Sequence, residues 1–185
     1  MKIAVYSGSF NPLHIGHLAI MKHLTQEAGF DMVYLIVSPK NPLKDSISSS
    51  SGLERYDAAV QAVARHDLNR VKVDDIELNM PEPHYSIRTL RALHEREPDN
   101  SFTLIMGADN LACIRNWKDY KSILTDFSIA VFPREGHDME SIRQDLLTES
   151  PVFKIRLLNA PLVTISSTEI RESLQHGEDI SKFLM

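Results

Sequence analysis

Ser7 to Leu18 read SGSFNPLHIGHL, directly behind the short apolar run Ile3 to Tyr6. A β-rich run, a Gly/Ser/Asn/Pro turn and then helical spacing form the first half of a strand–turn–helix unit. Leu18, Met21, Leu24 and Ala28 fall on one helical face, and Gly29 is a plausible stop. The pattern then repeats. Met32 to Val37 (MVYLIV) is an apolar run of strand length ended by Pro39, and Leu53 to His66 is helical, with Leu53, Tyr56, Val60 and Val63 as its apolar face. Val71 to Leu78 is a weaker strand, interrupted by Asp74 and Asp75. Further helices are expected over Ser86 to Glu97, Trp117 to Leu124, Ile142 to Leu147 and Ser167 to His176. Further strands are expected over Phe102 to Met106, Phe127 to Phe132 and Lys154 to Leu158. Strands joined by crossover helices predict an α/β domain, a parallel sheet with helices on both faces. Strands apolar on both sides agree with burial from both sides.

Ligands of such sheets bind beyond the carboxyl ends of the strands, so the loops after Tyr6, Val37, Met106 and Phe132 should share one edge. Lys40 to Gly52 is long, polar and serine-rich, the mark of a lid, a binding loop or a disordered segment. In the first turn, Gly8 and Gly16 permit close backbone approach, and NH groups at a helix start attract phosphate. His14 and His17, three apart, share a face if the helix has begun by His14. On spacing alone, two surface histidines at a turn fit as well. No GxxxxGK[ST] or GxGxxG series is present, and no nearby Cys or carboxylate completes a metal site around the histidines. Ser166 and Glu169 are spaced as a capping box, whose helix start also offers NH groups and hydroxyls to an anion.

The 185 residues fit one domain, 1–185, large enough to bury a core without disulfides. The single cysteine, Cys113, forbids an intrachain disulfide and reads as a small buried hydrophobe. A net charge of −5 argues against broad nucleic-acid binding while leaving room for a local basic pocket. No stretch approaches the ~20 apolar residues that cross a bilayer, and the first apolar run is too short for a signal peptide. A cytoplasmic enzyme, with no membrane partner, is the expectation.

GSFNPLHIGHL resembles the signature of the HxGH nucleotidyltransferases, a Rossmann-like superfamily that splits ATP or CTP between the α and β phosphates. PHYSIRTLRAL (83–93), GADNLACIRNWKDY (107–120) and ISSTEIRESL (165–174), in this order, are similar to the bacterial nicotinate mononucleotide adenylyltransferases, nearly end to end. The resemblance implies adenylyl transfer from ATP, accompanied by Mg²⁺, to nicotinate mononucleotide, in a protein that can be a homo-oligomer. It implies catalytic roles for His14, His17, Lys44 and Arg171, the histidines contacting the ATP phosphates in the transition state. ATP would lie against Gly8, Ser9, Phe10, His14, His17, Lys44, Gly107, Asp109, Ser167, Thr168 and Arg171. The acceptor would meet Ser86 near its carboxylate, Trp117 stacked on its pyridine and Arg134 near its phosphate. This sequence departs from the family pattern at Pro42-Leu43, where the loop histidine before the lysine is missing. It departs again at Ser86 for Thr, and at Arg88 and Glu135. Another HxGH enzyme, using nicotinamide mononucleotide or phosphopantetheine, and a non-catalytic nucleotide-binding regulator remain the alternatives.

Overall fold

The computed structural model describes residues 1–39 and 51–185. Six parallel strands form one sheet: β1 (Lys2–Gly8), β2 (Met32–Val37), β3 (Val71–Asp74), β4 (Ser101–Gly107), β5 (Ser128–Phe132) and β6 (Ile155–Leu157). Their order is β3-β2-β1-β4-β5-β6. This is the Rossmann order, in which the chain direction across the sheet reverses between the first and fourth strands and opens a crevice there. The crossovers carry α1 (Ile15–Gln26), α2 (Gly52–Arg65), α3 (Ser86–Arg96), α4 (Ala108–Ala112), α5 (Tyr120–Thr125) and α6 (Met139–Glu149). After β6 comes α7 (Ser167–Gln175).

Alternation along the strands divides the core in two. Ala4 and Tyr6 of β1 and Leu35 of β2 pack against Ile20, Met21 and Leu24 of α1 and Ala59 and Ala62 of α2. Ile3, Val5 and Ile36 point the other way, against Ile87, Leu90 and Leu93 of α3, Ile123 and Leu124 of α5 and Leu146 of α6. Burying one such aliphatic side chain contributes ~1.5–3 kcal/mol relative to leaving it exposed. Two-sided burial is why β2 reads as an unbroken apolar run.

Several local expectations are corrected. The Val71 to Leu78 segment is a strand only to Asp74, followed by a 3₁₀ turn at Ile76–Asn79. Buried Asp74 ends the strand by accepting two bonds from Arg96, at 3.1 and 2.7 Å. The segment after β4 is not one helix from Trp117. It is α4, a 3₁₀ turn at Ile114–Asn116, Trp117 in extended conformation, and then α5. On α2 the buried stripe is Arg55, Ala59 and Ala62, while Leu53 and Val60 are 64% and 43% exposed. The helix is turned so that Arg55 can reach backbone carbonyls at the sheet edge, which an apolar-face count cannot anticipate. Cys113, at the C-cap of α4, is exposed rather than buried. Among the described residues, no helix is long and apolar enough to cross a membrane.

Candidate active site

Because all six strands are parallel, the carboxyl ends of β1, β2, β4 and β5 share one edge. The turn after β1 is built around Phe10, whose φ of 47° is unusual for a side-chain-bearing residue. Its ring packs edge-on against Tyr6, at 5.4 Å between centroids, and against His17, at 5.0 Å.

His14 is not within the helix. It is the N-cap of α1, and His17 is the third helical residue. The two imidazoles form a reciprocal cap: the Gly16 NH donates to His14 Nδ1 and the His14 NH donates to His17 Nδ1, each at 3.1 Å. A backbone NH can only donate, so both Nδ1 atoms are unprotonated and each neutral ring carries its proton on Nε2. The rings stack with centroids 3.7 Å apart. Gly16 is required by space, since a Cβ there would lie 2.4 Å from Val163 Cγ1 and 2.9 Å from the His14 ring.

Burial and the nearby Arg134 guanidinium push His14 down to about 4, Glu169 opposing them. Burial, then His14, then Arg134 push His17 down as well. The pair therefore enters neutral solution as two preset Nε2–H donors with no charge of their own. The stability consequence has a definite sign. The unfolded chain takes up the His14 proton near pH 6.5, whereas the folded chain resists until about 4. The folded state is therefore favoured fully above 6.5 and progressively less as pH falls toward 4, by about 2 kcal/mol at pH 5 for His14 alone. Denaturant unfolding at pH 7 and pH 5 should show this loss, and His14→Asn, which keeps a cap without a titrating ring, should reduce it.

Arg134 leaves the end of β5 and runs over the Phe132 ring, 5.6 Å from its centroid. Its Nη1 donates to the Val163 carbonyl at 3.3 Å, and its Nε stands 3.8 Å from Asp109 Oδ1. Gly107, ending β4, makes room: a Cβ there would fall 2.5 Å from Asp109 Oδ1 and 3.0 Å from Arg134 Cγ. Arg134 thus stands close enough to the histidines to push both downward.

The capping box at α7 forms as the spacing predicts: the Glu169 NH donates to Ser166 Oγ at 3.2 Å and the Ser166 NH to Glu169 Oε2 at 2.8 Å. The same helix is latched onto the first turn, with Ser167 Oγ donating to the Pro12 carbonyl at 2.8 Å and Arg171 Nη1 to the Asn11 carbonyl at 2.5 Å. Arg171 Nη2 also donates to Thr168 Oγ1 at 3.3 Å. Residues 165 to 174, some 150 positions along the chain, are thereby brought to the histidine turn.

Ser86 opens α3 behind Tyr85, an N-cap with no side-chain cap bond. Trp117 is half-buried against the α3/α5 side of the core. Arg91 of α3 meets Asp119, just beyond Trp117, at 3.6 Å, so the turn carrying the indole is tied to that helix. Gly8, Ser9, Phe10, the histidines, Ser167, Thr168 and Arg171 gather about the turn after β1, while Ser86 and Trp117 flank the opposite face of the sheet. Lys44 and the serine-rich stretch Ser48 to Ser50 lie outside the described residues. Among the described residues no group of three or more His, Cys, Asp or Glu side chains is placed to hold a metal ion.

Two residues at this edge escaped the sequence reading. Arg55 and Glu77, 5% and 2% exposed, lie beneath the loops after β1 and β2. Nothing in their spacing marks them. Only a charged residue on the wrong face of α2 hints at the first.

The cytidylyltransferase-like family model matches residues 5–173. A probable nicotinate-nucleotide adenylyltransferase of Flavobacterium johnsoniae is 38% identical over 184 residues, covering 100% of this chain and 92% of the relative. Its counterpart from Bacteroides thetaiotaomicron is 37% identical over 188 residues, covering 100% and 87%. The fold matches that of Plasmodium falciparum nicotinic acid mononucleotide adenylyltransferase complexed with NaAD, with a TM-score of 0.79 at 20% identity over 99% of this chain and 90% of that one. With a paired-histidine turn at the switch point of a Rossmann sheet and similarity to these relatives along its whole length, the chain belongs to the nicotinate-nucleotide adenylyltransferase family of the HxGH-type cytidylyltransferase-like superfamily.

Proposed function

We propose that this protein transfers the adenylyl group of ATP to nicotinate mononucleotide, giving nicotinic acid adenine dinucleotide and pyrophosphate. The observation that carries the reading is the pair of neutral Nε2–H donors fixed at the end of β1, beside the Arg134 guanidinium and the latched Arg171. Such an arrangement suits a reaction whose charge develops on phosphate oxygens.

The acceptor phosphate is largely dianionic at neutral pH, so its oxygen is already a nucleophile and no base has to be supplied. That oxygen forms a bond to the α phosphorus as the bond from this phosphorus to the α,β-bridging oxygen breaks, and pyrophosphate departs with the electron pair. His14 and His17 donate through Nε2 to oxygens of the transferring group. Being neutral, they favour the transition state by direction rather than by total charge. Arg171, Thr168 and the start of α7 receive the departing phosphates, and Asp109 faces the nucleotide sugars. Mg²⁺ arrives bound to ATP as part of the substrate and neutralises its phosphates. Ser86 and Trp117 hold the pyridine end of the acceptor. Arg134 serves a phosphate at the junction of the two halves.

The test is pyrophosphate release with ATP and Mg²⁺, offering nicotinate mononucleotide, nicotinamide mononucleotide and phosphopantetheine separately. Release dependent on nicotinate mononucleotide, with the dinucleotide as product, is expected. Release with phosphopantetheine alone assigns another acceptor class, and ATP binding without release with any of the three makes the protein a regulator.

A further inference from the structure

We infer that Arg55 and Glu77 form a buried brace that holds the nucleotide turn and the acceptor helix in register, as positioning residues that touch neither substrate; this rests on the function proposed above. Arg55 reaches out of α2 to three carbonyls: Nη1 donates to Ser9 at 2.7 Å and to Ser38 at 2.8 Å, and Nη2 to Pro39 at 3.0 Å. Glu77, in the 3₁₀ turn after β3, collects three hydroxyls. Ser7 donates at 3.4 Å and Thr89 at 2.7 Å to one carboxylate oxygen, and Ser38 at 2.5 Å to the other. Ser38 is gripped twice, its carbonyl by the cation and its hydroxyl by the anion. Ser7 and Ser9, on either side of Gly8, are gripped one by each.

The choice of residues is informative. Burying a charge costs several kcal/mol, and well-packed apolar residues often stabilise a core equally well or better. Apolar residues cannot fix the direction of backbone carbonyls and hydroxyls on separate loops. A planar guanidinium with forked donors and a two-oxygen carboxylate can. The hydroxyl on Thr89 matters most for the acceptor. Thr89 stands three residues beyond Ser86, one helical turn along the same face of α3. Its bond to Glu77 therefore sets where the first turn of that helix, with the NH groups near Ser86, stands relative to the end of β1. Arg55 does the corresponding work for Ser9 and the turn leading to the histidines.

The division of labour predicts a split between the two substrates. In full-length protein, Thr89→Val should raise the KM for nicotinate mononucleotide ~10-fold and leave the KM for ATP within about twofold, the scale expected of a displaced positioning group, whereas Glu77→Ala, which also releases Ser7 and Ser38, should raise both. Glu77→Gln keeps an acceptor oxygen and an amide to which the hydroxyls can turn, so it should recover most of the loss. Arg55→Met should do the reverse of Thr89→Val, raising the KM for ATP and lowering kcat ~10-fold, with Arg55→Lys recovering little because one ammonium cannot serve three carbonyls. Circular dichroism and thermal unfolding establish that each variant is folded. Thr89→Val, nearly isosteric, and Glu77→Gln keep the test open if Glu77→Ala does not fold. Folded Thr89→Val with unchanged constants, or with both KM values shifted by one common factor, would overturn the brace. A wild-type protein that releases no pyrophosphate with nicotinate mononucleotide would instead overturn the proposed function, and the acceptor assignment with it.

Discussion

His17→Ala is expected to lower turnover by ~10²-fold or more, the range found when one transition-state donor is removed from a preorganised site. The substitution removes two things at once. It deletes the Nε2–H proposed to meet the transferring phosphate, and it deletes the Nδ1 acceptor that satisfies the His14 NH at the head of α1. Loss of a cap bond costs ~1 kcal/mol of stability. Glutamine separates the two effects, because glutamine at the third helical position completes an ordinary capping box. His17→Gln should thus unfold close to the wild-type temperature while turnover stays low. Near-native turnover in either folded variant would remove His17 from the mechanism. A low turnover rescued by glutamine would reduce it to a helix cap.

Nicotinate mononucleotide should be used more than tenfold better than nicotinamide mononucleotide in kcat/KM. Trp117 can stack on either pyridine, so stacking alone gives no preference. The difference must arise at the ring substituent. Ser86 opens α3 behind an N-cap that makes no side-chain bond, which leaves the helix start with NH donors to offer. A carboxylate accepts from them and gains from the helix dipole. An amide brings its own NH₂, so one donor faces another, at a cost of ~1–3 kcal/mol, and the charge-assisted bond is lost as well. Since ~1.4 kcal/mol corresponds to tenfold, the combined effect clears that threshold. Trp117→Ala should weaken both acceptors alike, whereas Ser86→Ala should mainly change their ratio. Steady-state kinetics with the two acceptors decide it: equal kcat/KM values would sink the acid preference while leaving the histidine mechanism standing.

The sequence reading and the structure part company for identifiable reasons. Strands such as Met32–Val37 were legible because two-sided burial demands an uninterrupted apolar run, and the run matches the element residue for residue. The α7 capping box was legible because a cap is satisfied within four residues of chain. The buried face of α2 was half legible: Tyr56 and Val63 do pack against the core, but Leu53 and Val60 do not, because the stripe that packs contains an arginine whose partners, Ser9, Ser38 and Pro39, come from elsewhere in the chain. Trp117 was placed in a helix, because a short 3₁₀ turn and an extended residue leave no periodic trace.

By itself, the sequence determined the alternation of strands and helices, the parallel sheet and the glycine-containing turn after the first strand, since hydrophobic period and turn chemistry are local properties. The family followed from four motifs in a fixed order. What only the tertiary structure decided was the state of the groups in the site. The tautomer of His14 and His17 is set within their own turn by two backbone NH donors, but their neutrality comes from burial and from Arg134, which is 117 residues beyond His17. The same holds for the latch of Arg171 on Asn11 and for the paired grips of Arg55 and Glu77. Hydrogen bonds and charge act through space over a few ångströms, so partners far apart in sequence are fixed only once the sheet has set its strand order.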